Sequence, residues 1–519
     1  MSNTMIAYSG IVTIYWMLPA VLVGYWTYTA IWRLYLSPLA HIPGPRLAAL
    51  TSLYEAYYDV WLGGQYAFKI IELHKQYGPI LRITPRELHF ADPEFYESIY
   101  AGYSQTRRTV REEAFTKFIG LDHSVFSTEG HELHRQRRAA LQPFFSMANV
   151  RRLQPVIQER LEALMKRIEE HRDTQRELNA SCMFSALGAE APDFDAASRI
   201  AGLASLKGVH LLKRIPWIFG MLDALPAALV GLMMPKLASF LAQKEAVKEE
   251  VSGIIAGNNQ GWQDKEHSTI FHSILASKLP QEEKSLVRLS DEAQLVVVAG
   301  SHTAAAVLDM ITFWLLSQPE TLRKLKEELR SIMPSVDDVG TVPLAKLEAL
   351  PYLIAVIKEG LRIEYGLVTR SQRIDPDNAT IFKDKTTGKD WTIPAGTPMS
   401  MSPLMVHDNE GLFPNSRTFI AERWLGDQGK GLDRYLVTFS KGSRNCVGQA
   451  LAYGEMYLAL AYIFRRYGGR DVIFDDDVGF LELYETNVKD VEMAADFFMP
   501  VAEKGSLGIR LKAYNINQN

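Results

Sequence analysis

Cysteine is scarce in this chain: Cys182 and Cys446 are the two among 519 residues. Two thiols cannot build a disulfide-stapled secreted scaffold or a cysteine-rich zinc module, so each is either an inert packing residue or a specialised ligand or nucleophile. Positive charge is not in excess either, with 56 Lys plus Arg against 60 Asp plus Glu and a net charge of −4. Such a balance offers nothing to neutralise phosphates and argues against a nucleic-acid binder. With 47% apolar and 22% charged residues, a disordered chain is excluded, and the length suffices for a large core. No internal repeat, low-complexity tract or second long uncharged apolar run occurs.

Asp, Glu, Lys and Arg are all missing from residues 1–32, and Ile11 to Trp32 reads IVTIYWMLPAVLVGYWTYTAIW. That is about the 20 apolar residues a helix needs to cross a bilayer. Tyr15, Trp16, Tyr25, Trp26, Tyr28 and Trp32 supply interfacial rings. A cleaved signal peptide would carry a positive n-region and a small-residue cleavage site, and neither is evident. Arg33 and Arg46 follow the span, which favours a cytoplasmic body. Pro38, Pro43, Gly44 and Pro45 then stop any continuing helix. The expected organisation is an anchor over 1–33, with its span at about 11–32, a Pro-rich hinge over 34–46 and a catalytic domain over 47–519.

Amphipathic spacing predicts long helices over 152–172, 238–256, 289–317, 319–332 and 451–466. Strand-like runs are short, at Ile80–Ile83, Glu87–Phe90, Ile381–Phe382 and Met399–Ser402. The fold class is therefore mainly α (α+β), with small sheets. The apolar stretch 215–235 reads equally as a core helix or as a segment dipping into a lipid surface.

The strongest motif is FSKGSRNCVG, which sets Phe439, Gly442, Arg444, Cys446 and Gly448 at fixed spacing. Chance produces those five identities on the order of 10⁻⁵ times in a chain of this composition. Phe439 can shield a thiolate, the glycines let the backbone approach a planar group, and Arg444 can reach a carboxylate. Cys446 precedes a helix and gains from its positive end. Thiolate is a strongly electron-donating ligand for haem iron. On these residues the chain resembles the cytochrome P450 family, from the N-terminal span to about residue 510. The resemblance implies haem b with Cys446 as its axial ligand; Cys182 has no such context.

Three further constellations fit that resemblance. Glu359 and Arg362, in KEGLR, share a helix face, and Arg423 in FIAERW can complete a buried Glu–Arg–Arg network. The family usually has Pro where Ala421 stands. In VVVAGSHTAAAV, Ala299 and Gly300 leave room for a ligand and the Thr303 hydroxyl can bend the helix and hold water. The family implies proton delivery by that Thr. The commonly acidic position before it is His302, which either relays a proton or merely packs.

In HELHRQRRAALQPFF, Leu133 takes the place of the family's Trp, so His134 and Arg137 are expected to pair the haem propionates. Arg135 or Arg138 then faces a redox partner, with Lys441 beside it. Arg370 is a weaker propionate candidate, and Leu367, Val368 and Thr369 are expected pocket walls.

The implied activity is a monooxygenase using dioxygen and NADPH electrons, which arrive through a separate flavoprotein reductase, with cytochrome b5 as a further donor. The chain has no dinucleotide fingerprint of its own. The implied place is the endoplasmic reticulum membrane, with the catalytic domain facing the cytoplasm. LRIEYGLVTR and DRYLVTFSKGSRNC look most like fungal enzymes that tailor lipophilic terpenoids, polyketides or alkaloids. A non-oxygenating haem-thiolate isomerase or dehydratase, or a silent haem-binding protein, would share the same haem motifs. Between Phe184 and Phe194 a helix that such relatives contain is expected to be missing, from a misjudged splice site or a truly shortened chain.

Overall fold

The computed structural model describes residues 2–102, 108–174, 176–185, 207–218, 221, 225, 235–258 and 269–516. The missing helix expected near 184–194, and most of 215–235, lie outside the described residues.

Each predicted helix is present: Met147–His171, Pro235–Ile255, Leu286–Ser317, Pro319–Ile332 and Gln449–Arg466. They join His131–Leu141 and Pro351–Glu364 in the framework of the site. Most of their apolar faces meet in one core, where Leu308, Ile311 and Leu315 pack with Leu161, Leu353, Ile357, Leu460 and Phe464, while Leu141 and Val251 join Leu289 and Ala293 in a second cluster. Helices Leu286–Ser317 and Pro351–Glu364 cross so closely at Gly360 that an added Cβ would lie 2.3 Å from Ile311. Only a residue without a side chain permits that approach.

The strands are short, in chain order β1 Ile80–Arg82, β2 Leu88–Phe90, β3 Val110–Arg111, β4 Leu178–Asn179, β5 Arg373–Ile374, β6 Thr380–Lys383, β7 Asp390–Ile393, β8 Met399–Ser400, β9 Tyr467–Gly469, β10 Gly479–Leu483, β11 Ala495–Phe497, β12 Met499–Val501 and β13 Arg510–Tyr514. Strands β1-β2-β8-β5-β3 form one sheet, β4-β13-β10-β9 another, and β6–β7 and β11–β12 are hairpins. Sheet one matters most here, because it sets β3 antiparallel to β5 with Arg111 directly opposite Arg373.

Residues 11–31 of the expected span lie in helix Ser2–Ile31, which contains no charged residue, and Trp32 begins the π-helical turn Trp32–Leu36. Among the described residues, the helix long and apolar enough to cross a membrane by length and composition is Leu286–Ser317. That helix belongs to the core: Leu308, Ile311, Thr312 and Leu315 are fully enclosed.

Candidate functional site: a cationic crevice beside Cys446

The loop before helix Gln449–Arg466 is shaped by two residues at positive φ, Ser440 at 57° and Gly442 at 74°. A Cβ on Gly442 would lie 2.1 Å from the carbonyl oxygen of Ala101, so only glycine lets the loop press against that segment. The Cys446 N–H donates to the Phe439 carbonyl at 2.9 Å and fixes the turn. The Phe439 ring packs at a tilt against Tyr453, with ring centroids 5.5 Å apart. Gly448 has an ordinary φ of −84° and caps the helix, so tight turning is not its role. An added Cβ there would meet Cys446 Sγ at 3.9 Å and Phe145 at 4.0 Å.

The Cys446 environment differs from the helix-end expectation. Burial raises its thiol pKa and outweighs the Gly448 N–H and the Arg138 charge, which both lower it. The sulfur lies deep in the protein while the residue still presents open surface to the crevice. A metal cation reverses that balance, since a coordinated thiol is deprotonated outright.

Behind the loop stands the charged network expected from KEGLR and FIAERW. Glu359 and Arg362 are fully enclosed and joined twice, at 2.8 and 2.9 Å. Arg423 Nε, Trp424 Nε1 and the Ile420 N–H also donate to Glu359, at 3.0, 2.8 and 2.9 Å. Arg362 donates to the His407 carbonyl at 3.0 Å, and His407 Nε2 accepts the Val437 N–H at 3.0 Å. Thr438 Oγ1 donates to the Leu361 carbonyl at 2.7 Å. The network is thus tied through two routes to the start of the cysteine loop. Burial and the Arg362 charge push His407 down to about 3, so it is neutral and able to accept that bond.

In front of the loop lies a second set of charges with the opposite character. Arg111, Arg373 and Arg444 are buried, and Arg138 is partly so. Arg111 is disfavoured as a cation first by burial and then by Arg373, Arg444 and Arg138. His134 is pushed down to about 2 by burial and by the same four guanidiniums. Their protein partners are almost all neutral. Arg111 donates to the Phe126 carbonyl at 2.7 Å, Arg444 to the Thr128, Glu129 and Gly130 carbonyls, Arg373 to Ser371 and Gln372, and Arg138 to Asn445 Oδ1 at 2.6 Å. Among the described residues Glu129 is the carboxylate that adds an attractive charge, at Arg444, and Cys446 adds one at Arg138. Arg111 Nε and Arg444 Nε are buried without a protein partner. Like charges directly opposite on adjacent strands are destabilising, and buried cations need anions. The cluster is therefore built for an anionic ligand, and haem brings two carboxylates.

This arrangement corrects several expectations. On helix His131–Leu141 both His134 and Arg137 are buried, but the pair turned to the cysteine loop and its arginines is His134 and Arg138, four residues apart, while Leu133 is 39% exposed. Arg137 points elsewhere, to a two-pronged pair with Glu283 at 2.6 and 2.9 Å and a bond to Thr128 Oγ1 at 2.8 Å. Arg138 is bonded to the cysteine loop through Asn445. Arg370 pairs with Glu55 at 2.6 Å and Glu87 at 3.3 Å, so it is spent on carboxylates of the protein itself. Arg373 and Arg111 stand in the arginine cluster where Arg370 and Arg137 were expected. Neither signals itself in the sequence, because strand pairing brings them together.

On the far side, helix Leu286–Ser317 presents Ala299 and Gly300 at open surface, and nothing lies within 4 Å of a Cβ built on Gly300. Thr303 Oγ1 donates back to the Ala299 carbonyl at 2.8 Å. His302 is half-buried. Leu367 is half-buried, but Val368 is fully enclosed among Phe68, Ile71, Tyr365 and Leu404. Thr369 Oγ1 is bonded to Asp496 Oδ1 and accepts the Phe498 N–H at 3.1 Å. Val368 and Thr369 are thus not open walls; they hold the β11–β12 hairpin. The open aromatic surface comes from Phe126 and Phe498, clustered with Phe115 and Phe118. Arg111 lies 4.4 Å over the Phe126 ring and joins that cluster to the arginines.

The Cytochrome P450 family model matches residues 51–471. The chain belongs to the cytochrome P450 family. It is 41% identical over 513 residues to the cytochrome P450 monooxygenase tpcC of Cochliobolus heterostrophus, covering 95% of this chain and 97% of that protein. It is 43% identical over 487 residues to the cytochrome P450 monooxygenase astB of Talaromyces wortmannii, covering 93% of this chain and 94% of that one. A third relative, the N-acetyltryptophan 6-hydroxylase ivoC of Emericella nidulans, is 36% identical over 513 residues, covering 95% and 96%. These matches make this P450 an enzyme of the monooxygenase class, and P450 membership implies a thiolate-ligated haem. The cationic crevice suits that group's carboxylates, and the cysteine beside it suits its metal.

Proposed function

We propose that this P450 oxygenates a lipophilic small molecule in fungal secondary metabolism, with Cys446 as the haem ligand. The observation that carries the reading is a buried, nearly carboxylate-free arginine cluster set beside the one cysteine that lies in a glycine-shaped loop. When bound, the haem activates dioxygen with two electrons, so that one oxygen atom enters the substrate and the other leaves as water.

The chain's own residues do the rest. Cys446 supplies the sulfur and the Gly448 N–H bonds to it, which tempers its basicity. Arg111, Arg138, Arg373 and Arg444, with His134, hold the two propionates; Glu359, Arg362 and Arg423 brace the loop from behind. Thr303 gives its own proton to the Ala299 carbonyl, which leaves its oxygen lone pairs to accept a hydrogen bond from water in the crevice. His302, half-buried on the same helix, is the neighbouring group that carries ring nitrogens able to donate or accept a proton. Ala299, Gly300, Leu367, Phe126 and Phe498 give substrate an apolar and aromatic seat.

Two surfaces support membrane attachment through residues 11–32, with the catalytic domain in the cytoplasm at the endoplasmic reticulum. Residues 17–31 of the first helix carry exposed apolar side chains, including Leu18, Val21 and Trp26. Leu53, Trp61 at 82% exposure and Trp217 continue that character on the catalytic domain. NADPH electrons arrive through a separate reductase, with cytochrome b5 as a second donor, at the face bearing Arg135 and Lys441. The Asn378-Ala-Thr sequon is exposed, whereas Asn179 has both ends of its amide bonded, to Leu507 and Cys182. Asn378 free of glycan agrees with this topology, and a glycan there reverses it.

The test is spectroscopic and isotopic. The reduced, carbon monoxide-bound protein should show the red-shifted Soret band of a thiolate ligand, and Cys446→Ala should lose it. Retention of the band in that variant refutes the ligand assignment. Labelled dioxygen with reductase and NADPH should leave label in the product. Product without label supports isomerase or dehydratase chemistry instead.

A further inference from the structure

Outside the crevice, a set of buried charges lies where helix Val209–Leu212 meets segment Tyr57–Trp61 and the β11–β12 hairpin. Glu55 takes three cations: Arg370 at 2.6 Å, Lys213 at 3.1 Å and Arg214 at 3.2 Å. His210 is 5% exposed and sits between hairpin and segment, with Nε2 at 2.5 Å from the Asp496 carbonyl oxygen and Nδ1 at 3.6 Å from Asp59 Oδ2. Asp59 is 2% exposed, and its other oxygen accepts the Tyr66 N–H at 3.1 Å.

The protons follow from valence. A carbonyl oxygen only accepts, so His210 Nε2 carries a hydrogen. Nδ1 therefore meets Asp59 either as an imidazolium facing a carboxylate or as a bare nitrogen facing a protonated carboxyl. With neither proton, a lone pair opposes a negative oxygen in a site closed to water, which is costly. The seated helix thus needs one proton on the pair. We propose that Asp59 and His210 form a one-proton latch that fastens helix Val209–Leu212 over the aromatic cluster of the crevice, and that alkaline pH releases it. Val209 belongs to the cluster of Phe115, Phe118 and Phe498, so release uncovers that cluster.

The other groups facing the pair do not give the same response. Burial raises Asp59 to about 6, while His210 and Arg370 pull it down and Asp496 and Glu55 push it up. Burial opposes the charge on Glu55, but Lys213, Arg370 and Arg214 hold it well below the usual carboxylate range. Lys213 and Arg370 lie above their usual ranges: burial opposes their charges, and the facing carboxylates outweigh it. Glu112, raised by burial, faces Lys213, and its ionisation on the alkaline side tightens that contact rather than loosening it.

Control of access to the haem rests on the function proposed above, but the latch itself can be read without it. Hydrogen exchange in residues 207–215 of the full-length, haem-loaded protein should be followed at about pH 6.5 and about pH 9. After correction for intrinsic rates, protection should fall by about tenfold or more at the higher pH. Asp59→Asn offers Nδ1 an amide N–H that does not titrate, so its protection should be equal at the two pH values. His210→Ala should exchange fast at both. Equal protection at both pH values in the unaltered protein overturns the latch, as does a fall in Asp59→Asn matching that of the unaltered protein. Should His210→Ala fail to fold, the contrast with Asp59→Asn decides alone. A missing Soret band alongside the expected exchange pattern would remove the haem function and leave the latch standing.

Discussion

Two buried charge clusters flank the cysteine loop, and they are built on opposite terms. The one behind it is closed: the Glu359 carboxylate receives two guanidiniums, an indole and a backbone N–H, and Arg362 passes its remaining capacity to backbone carbonyls. In the one before it, four guanidiniums and a neutral imidazole gather with Glu129 as the sole attractive carboxylate, and two nitrogens are orphaned. A closed network stabilises what is already there, whereas an open cluster of one sign is a cost to the fold that an anionic ligand removes. Inventories of arginine do not distinguish brace from binding site; the accounting of partners does.

The largest effect that would sharpen this contrast comes from the closed side. Glu359→Ala strands Arg362 and Arg423 without a buried counter-charge, and breaking such a pair costs about 3–5 kcal/mol. The variant should express mostly as aggregate, or melt far below the unaltered protein whether or not haem is supplied. A normal melting temperature would break the comparison at once. The open side should behave in reverse. Arg373→Ala removes one half of the Arg111–Arg373 cross-strand repulsion, so the haem-free protein should be no less stable than before. Haem retention should nevertheless weaken by roughly 10- to 100-fold, since hydrogen bonds to charged groups contribute about 1.5–3 kcal/mol each. Competition for haem by an acceptor protein measures this, and unchanged retention would show that the arginines serve something else.

How far the sequence foretells this arrangement depends on the range of the interaction. Cys446, Gly442, Glu359 and Arg362 are legible because their identities and spacing lie within one loop or one helix turn. Helix phase is a finer matter: taking Leu133 as the reference residue points to Arg137, which is buried but faces Glu283, whereas Arg138, one residue on, faces the cysteine loop. Arg111 and Arg373 are illegible one at a time, since nothing local says that β3 will pair with β5. Thr369 is illegible as a structural residue for the same reason. Its partner Asp496 comes from a hairpin far along the chain and takes the hydroxyl away from the pocket.

A smaller effect separates the clusters by pH. His407 belongs to the closed network and is held neutral, with its pKa lowered to about 3 by burial and Arg362. A histidine depressed in the fold contributes stability that is complete above its unfolded value, about 6.5, and is lost as pH falls toward the folded value. Replacing it with glutamine, which can still accept the Val437 N–H, should flatten the acid side of the stability profile. The slope should fall by about 1.4 kcal/mol per pH unit across the window from about 6 to about 4. Denaturant titrations at several pH values read this directly, and parallel profiles would mean that His407 is not neutral in the fold.

The smallest expected effect on stability tests the boundary of the open cluster on a single helix. Arg135 and Arg138 are three residues apart, yet Arg135 is 57% exposed and paired with Glu132 at 3.1 Å, while Arg138 turns inward to Asn445. An exposed pair of this kind contributes little because water screens both partners. Arg135→Ala should therefore leave the melting temperature and haem retention unchanged, while Arg138→Ala lowers retention as Arg373→Ala does. If Arg135 lies on the docking face, its loss should slow electron delivery at low ionic strength, and the deficit should shrink as salt is added, because steering between charged surfaces is screened within about 8 to 10 Å. A rate that is equally low at every salt concentration would place Arg135 with the structural residues, and the line drawn between surface and crevice would have to move outward by one turn.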